Sequence, residues 1–303
     1  MVKLTRRQLA NVPIAALATG AASLVLPAFA QPASPLTTRP IPSTGEPLPA
    51  VGLGTAAVFD SADAATLQNA RAVVRALIDN GGKLIDTAST YGDAERILGD
   101  VIGPADLRGK LFIATKLESA DVEELKRSLN RLQTAKLDLL QLHNVRNPQQ
   151  SLGAFREWKA QGVCRYIGIT STSHGAFAAV EAILRREKPD FVQIDYSIDD
   201  REAEQRILPL AAEIKAGVLT AVPFGRGRLF GAVRGRPLPD WAQNFAGSWA
   251  QFFLKYLLGD PRVTAVIPGT ADAGHMADNL GAMRGPLPDP GQRRQMVEFI
   301  ETL

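Results

Sequence analysis

The sequence predicts a closed (β/α)8 barrel with an N-terminal β-hairpin and a C-terminal helix. Three observations carry that prediction. Eight short apolar runs recur between residues 39 and 303, and segments of helical period lie between them. The runs are apolar on both faces, the mark of parallel strands covered by helices. The first strand-to-helix turn, Gly52-Leu53-Gly54-Thr55-Ala56-Ala57, lacks the third glycine of G-x-G-x-x-G, which argues against the dinucleotide form of an open doubly wound sheet.

In order, "RPIPSTGEPLPAVGLGT" reads as a hairpin turning on Thr44-Gly45, followed by the first barrel strand. The helix after it, "AATLQNARAVVRALIDNGG", places Leu67, Ala70, Val73, Val74 and Leu77 on one face and ends at Gly81-Gly82. The second to eighth strands are "KLIDTA" (83–88), "KLFIATK" (110–116), "LDLLQLH" (137–143), "CRYIGIT" (164–170), "FVQIDY" (191–196), "GVLTAVP" (217–223) and "VTAVIPG" (263–269). "DVEELKRSLNRL" and "HGAFAAVEAILRRE" have helical period, and "PDPGQRRQMVEFIETL" reads as a last helix laid outside the barrel. With no linker visible, residues 39–303 form one domain, preceded by a flexible lead-in at 31–38.

Residues 1–30 read differently. "LTRRQLANVPIAALATGAASLVLPAFAQP" joins a basic head to an apolar stretch and the small-residue pattern Ala28-Phe29-Ala30. This resembles a twin-arginine (Tat) export signal built on Arg6-Arg7, with an A-x-A cleavage site before Gln31. The expectation is a periplasmic mature protein that has used the Tat machinery and keeps no stable membrane span after cleavage. An uncleaved anchor is the alternative, opposed by Asn11, Pro13, Gly20 and Pro27 within the apolar part. The net charge of +3 is mild and its Lys and Arg are scattered, so nucleic acid is not an expected partner. One cysteine, Cys164, excludes an internal disulfide, and three scattered histidines without ligand spacing point to no metal.

Active sites of such barrels lie at the C-terminal ends of the strands. Asp86 ends the second strand with Tyr91 in the loop beyond; Lys116 ends the third and His143 the fourth. An unperturbed phenol, with a pKa of about 10, is a poor proton donor at neutral pH unless its phenolate is stabilised. A lysine ammonium does that, and a carboxylate holds the ammonium in place and charged. Asp86, Lys116 and Tyr91 therefore make sense as one relay, with His143 orienting a carbonyl oxygen.

The motifs "GLGT", "IDTASTYG", "FIATK", "LLQLH", "GVCRYIGIT", "QIDYS" and "IPGTADAGHMADNLGA" resemble those of the aldo-keto reductases, in that family's order and spacing over residues 39–303. The resemblance implies an NADP(H)-dependent oxidoreductase, NAD(H) remaining possible, that reduces small aldehyde or ketone carbonyls. Asp86, Tyr91, Lys116 and His143 would be its tetrad, with Tyr91 the acid. It implies a nucleotide lying across the barrel mouth, near Gly54 and Thr55. Gln193 would bond the carboxamide, Tyr196 would stack on the nicotinamide, and Thr170-Ser171 stand where most members have Ser-Asn. Pro223, Gly225, Arg226 and Arg228 fall in the loop over the pyrophosphate. At the adenosine end, Gly269 and His275 replace a lysine and an arginine that face the 2′-phosphate in well-known members, beside Thr270 and the adenine-contacting Asn279.

Two other readings stay open at this stage: a nucleotide-binding sensor or partner subunit with little turnover, and an aldolase using Lys116 as a Schiff-base nucleophile. Phe59, Trp241 and Phe245 are the expected apolar wall of the substrate pocket.

Overall fold

A computed structural model describes residues 35–145 and 147–303; the stretch read as an export signal (1–30) and the first half of the lead-in (31–34) lie outside the described residues. A two-stranded antiparallel hairpin, β1 (Thr38–Pro40) and β2 (Pro47–Pro49), comes first. Eight parallel strands follow: β3 (Leu53–Gly54), β4 (Leu84–Asp86), β5 (Phe112–Leu117), β6 (Leu137–His143), β7 (Cys164–Ser171), β8 (Phe191–Asp195), β9 (Gly217–Ala221) and β10 (Ala265–Val266). Each pairs with its sequence neighbour. The sheet closes through parallel bridges Val51↔Val266 and Gly54↔Gly269, with Gly52 N–H donating to the Val266 carbonyl at 2.8 Å. Closure requires a bare backbone here, because a Cβ on Gly54 would lie 2.9 Å from the Ile267 carbonyl oxygen.

The helices are α1 (Ala64–Asp79), α2 (Ala94–Ile102), α3 (Val122–Arg131), α4 (Pro148–Ala160), α5 (Phe177–Glu187), α6 (Glu202–Glu213), α7 (Arg228–Ala232), α8 (Trp249–Leu258), α9 (Ala273–Gly281) and α10 (Pro290–Glu301). In α1 the predicted face is buried at Ala70, Val73, Val74 and Leu77, with Leu67 at its margin, and Gly81 takes the left-handed turn after the helix (φ 85°). α10 begins with a reciprocal capping box between Asp289 and Gln292 and a proline in its first turn, which explains its sharp start. Among the described residues, no helix is long and apolar enough to cross a membrane.

The apolar material separates into two layers. The larger fills the space between strands and helices. The smaller fills the barrel itself with Leu84, Phe112, Ala114, Leu139, Tyr166, Phe191, Leu219, Ala265 and Ile267, joined by Ile41 and Leu48 of the hairpin. The hairpin thus plugs the end where the strands start, and Tyr166 Oη is tied to Thr44 at 2.8 Å and donates to Glu46 at 2.7 Å. The opposite end is left open for polar side chains.

Candidate active site

At the open end a cavity of about 720 Å³ is lined by residues from most of the strand-to-helix loops, among them Gly54, Asp86, Tyr91, His143, Thr170, Gln193, Pro223, Arg226 and Gly269. Three tetrad members are therefore on its wall. The fourth, Lys116, lies just behind it, 1% exposed and 2.5 Å from Asp86 Oδ2. Its ammonium also donates to the Thr87 carbonyl at 2.8 Å and sits 4.9 Å from the centroid of the Tyr91 ring. The ring of His143 meets Tyr91 edge-on at 5.8 Å. A buried ammonium needs an opposite charge and fixed acceptors, and Lys116 has both in the Asp86 carboxylate and the Thr87 carbonyl.

Strand register explains how residues far apart in sequence converge. Lys116 is level with Gln141 and Gly168, while His143, Thr170, Gln193 and Leu219 form the next rung. Along a strand, alternate side chains face the same way. Gln141, two residues before His143, therefore points inward and donates from Nε2 to Asp86 Oδ1 at 3.1 Å; Gln193 donates to Asp86 Oδ2 at 3.2 Å. Sequence reasoning missed Gln141. It also missed Glu118, two residues beyond Lys116, whose Oε1 lies 2.7 Å from His143 Nδ1.

The same alternation corrects Tyr196. Its parity is opposite to that of Gln193, and it is fully buried in the outer layer, away from the cavity. Its hydroxyl bonds Glu204 and accepts from Arg293 at 2.8 Å, and burial pushes its pKa up, with the neighbouring Tyr256 and Glu204 adding to the shift. It cannot stack on a ligand in the barrel mouth. Ser171 is likewise off the wall, its Oγ accepting from Ser173 N–H at 3.3 Å, whereas Thr170 and Thr172 are on it. Thr55 is buried and its hydroxyl donates to the Asp86 carbonyl at 3.2 Å, bracing the β3 and β4 ends.

Beyond β9 the chain turns sharply: Val222, Gly225, Arg226 and Gly227 all have positive φ (54°, 56°, 55° and 88°). For a β-branched residue such as Val222 this is a strained conformation, held here on the cavity wall. Arg226 lines the cavity, but Arg228 does not; its Nε donates to Asp199 Oδ2 at 2.9 Å, fastening this loop to the one after β8. That corrects the expectation for Arg228, one of the residues assigned to the loop over the pyrophosphate. Beside it, His174 Nε2 lies 2.8 Å from Asp200 and 3.4 Å from Asp195, which joins the loops after β7 and β8 through polar contacts.

At the other rim, Thr270 Oγ1 accepts from Asp272 N–H at 3.1 Å, and Asp272 caps α9 by accepting from the His275 N–H at 2.8 Å. That backbone hydrogen bond holds the Asp272 carboxyl below the usual carboxylate range. His275 is exposed and Asn279 buried; neither lines the cavity. The expected apolar wall is corrected as well. Phe59 is fully buried in the outer layer, and Trp241 and Phe245 pack against Phe252. The apolar lining is instead Val58, Ala221, Val222, Phe224, Phe230 and Ile267, with Phe224 and Phe230 at 4.8 Å from each other.

Comparison with known proteins gives a consistent family. The model of the "Aldo/keto reductase family" matches residues 50–291. The chain is 28% identical over 248 residues to the methylglyoxal reductase YeaE of Escherichia coli, covering 78% of this chain and 86% of that one. It is 27% identical over 247 residues to the uncharacterized oxidoreductase YqkF of Bacillus subtilis, covering 68% and 79%. Among solved structures, an aldo/keto reductase from Klebsiella pneumoniae in complex with NADP and acetate superposes with a TM-score of 0.75 at 26% identity, over 88% of this chain and 96% of that one.

Proposed function

Since the chain belongs to the aldo/keto reductase family, we propose that it is an NADP(H)-dependent oxidoreductase that reduces small activated aldehydes or dicarbonyls to alcohols. The observation that carries this reading is the Asp86–Lys116 pair, buried against the ring of Tyr91 at the wall of one cavity. The relatives named methylglyoxal reductase and crystallised with NADP support the class of substrate and cofactor.

The residues present fit a nicotinamide nucleotide. Gln193 Oε1 is buried without a hydrogen-bond partner, as suits an acceptor waiting for a carboxamide. Gly269 leaves room beside Gly54, where a Cβ would come within 3.2 Å of the Gly54 carbonyl oxygen and of Val58. Gly54, Thr170, Gln193, Pro223, Arg226 and Gly269 would hold the cofactor, which when bound supplies the hydride. Tyr91 gives its phenolic proton to the carbonyl oxygen in reduction and takes one back in alcohol oxidation. Lys116 favours the phenolate left behind, Asp86 keeps Lys116 charged, and the amides of Gln141 and Gln193 fix the rotamer of Asp86. His143 orients the substrate oxygen. The aldolase reading loses ground, because a Schiff-base lysine must shed its proton and a carboxylate at 2.5 Å opposes that.

The nucleotide preference follows from the adenosine rim. Two exposed cation contacts to a phosphate supply about 1–3 kcal/mol, roughly one to two decades in affinity. Here Gly269 and His275 stand at those positions, and the capping carboxylate of Asp272 sits beside Thr270. NADPH is therefore expected to be preferred over NADH by a smaller margin than in members carrying both cations, and Gly269→Lys to widen it. Titrating each nucleotide against tryptophan fluorescence checks this; a preference of many thousandfold would mean that the phosphate is held elsewhere.

The export reading concerns residues outside those described. A protein that acquires its nucleotide in the cytoplasm gains stability from it by mass action and folds there, and the Tat route accepts folded cargo. Replacing Arg6 and Arg7 together by lysine keeps the charge but removes the guanidinium pair. The expected outcome on cell fractionation is full-length active enzyme held in the cytoplasm, against a cleaved periplasmic form beginning near Gln31 for the wild type. Export and cleavage of the double-lysine form would end this reading.

A further inference from the structure

Lys-Leu opens three successive barrel strands: Lys83-Leu84 at β4, Lys110-Leu111 just before β5 and Lys136-Leu137 at β6. The pairings Leu84↔Phe112 and Ala114↔Leu139 bring these starts nearly level. There, beside the hairpin and at the barrel end away from the candidate active site, a second cavity of about 500 Å³ is lined by all three lysines, Arg108 and Arg165. Its floor is apolar, formed by the buried Leu48, Leu111 and Phe112.

The charges around this cavity do not balance. Among the described residues it has two carboxylates, Glu46 and Asp138, and the two guanidiniums take both. Asp138 lies 2.9 Å from Arg108 and 2.9 Å from Arg165, and it accepts from the Ile113 N–H at 2.8 Å. Glu46 pairs with Arg165 and accepts from Tyr166 at 2.7 Å. Arg108 also donates to the Leu111 and Lys136 carbonyls, which holds it in place. The three ammoniums are left over. All three lysines are exposed, and among the described residues their side chains make no ion pair or hydrogen bond, Lys83 acting on Glu46 only through space.

This set of cations selects among anions. The forked guanidinium is the better match for a planar carboxylate, and both guanidiniums here already hold carboxylates of the protein. Ammoniums on flexible stems act as point charges, which suits a tetrahedral phosphate with oxygens on every side. One phosphate group carries about −1.5 to −2 at neutral pH, so two of them match three ammoniums. A cavity of this volume encloses a small molecule rather than a macromolecular surface.

We propose that this cavity is a second ligand site, for a small molecule carrying two phosphate groups, held by Lys83, Lys110 and Lys136 at the barrel end opposite the nucleotide cavity. It is independent of the reductase reading. The six residues of β5 and seven of β6 separate the two sites by roughly 20 Å at about 3.3 Å per residue, so both ligands bind together without competition.

The test is a calorimetric titration of the full-length protein with inorganic pyrophosphate, at constant ionic strength, with and without excess NADPH. Saturable binding is expected in both cases. Its Kd should rise about tenfold in each of Lys83→Ala, Lys110→Ala and Lys136→Ala, and the triple variant should show no binding. Orthophosphate should bind more weakly than pyrophosphate, and added salt should weaken both. Because the three lysines are exposed, the variants should keep the wild-type circular dichroism and affinity for NADPH. Absence of saturable binding, equal binding by the triple variant, or heat that disappears when NADPH is present would overturn the proposal. Tighter binding of an acidic peptide or a short oligonucleotide than of pyrophosphate would overturn it too, by making this face a macromolecular surface. If NADPH itself does not bind, the reductase reading fails separately and the titration without nucleotide still decides this site.

Discussion

Tyr91→Phe is expected to lower kcat for carbonyl reduction by ~10²–10⁴-fold, the usual loss when a positioned acid is removed. The ring would remain, and with it the edge contact to His143 and the seat for the Lys116 ammonium, so fold and nucleotide binding should be preserved. Steady-state oxidation of NADPH by residues 31–303, over a panel of activated aldehydes and diones, measures the effect. Wild-type turnover in the variant on several carbonyls would remove Tyr91 from the acid role. The same panel separates the enzyme from a nucleotide-binding sensor, which would oxidise NADPH at a negligible rate with every carbonyl.

Asp86→Asn should be the costliest single change to stability at the site. Lys116 is 1% exposed and Asp86 2%, and breaking a buried pair by removing one partner leaves an uncompensated charge, at about 3–5 kcal/mol. Urea unfolding of the wild type and variant at one pH gives the difference directly. A second comparison isolates the charge: Asp86→Leu combined with Lys116→Met removes both, and it should be more stable than Asp86→Asn even though it is equally inactive. A double variant less stable than the single one would mean that the hydrogen bonds from the Gln141 and Gln193 amides and to the Thr87 carbonyl, rather than the ion pair, dominate the local energetics.

The convergence of Asp86, Tyr91, Lys116 and His143 was legible in the sequence because each sits at or just past the end of an apolar run, where barrel geometry gathers polar side chains. The hairpin was legible from Thr44-Gly45, and Gly45 does take a left-handed conformation (φ 77°). What was misread follows mostly from one neglected rule. Side chains alternate along a strand, so once Gln193 is set inward, Tyr196 must face the outer layer and Asp195 the rim. The same rule marks Thr170 rather than Ser171, and it would have found Gln141 from His143 and Glu118 from Lys116, each two positions away. The apolar wall was a different kind of miss. Phe59 and Phe245 lie in loops and Trp241 in a short 3₁₀ turn, where no periodicity says which way a ring turns; packing on Phe252 and Phe299 decides it for Trp241, and on Phe252 for Phe245. Arg228 was unreadable for a similar reason, since its partner Asp199 comes from another loop.

Hydride transfer in this cavity from a nicotinamide to a carbonyl carbon, with Tyr91 supplying the proton, would be read out by isotope transfer. The wild-type domain and Tyr91→Phe would be incubated with NADPH carrying deuterium at the reactive nicotinamide carbon and with an activated aldehyde, and the alcohol analysed by mass spectrometry. The wild-type product should be one deuterium heavier, with the label on the former carbonyl carbon, and Tyr91→Phe should form little alcohol. Unlabelled alcohol from the wild type, or no alcohol despite bound nucleotide across the whole carbonyl panel, would contradict this transfer.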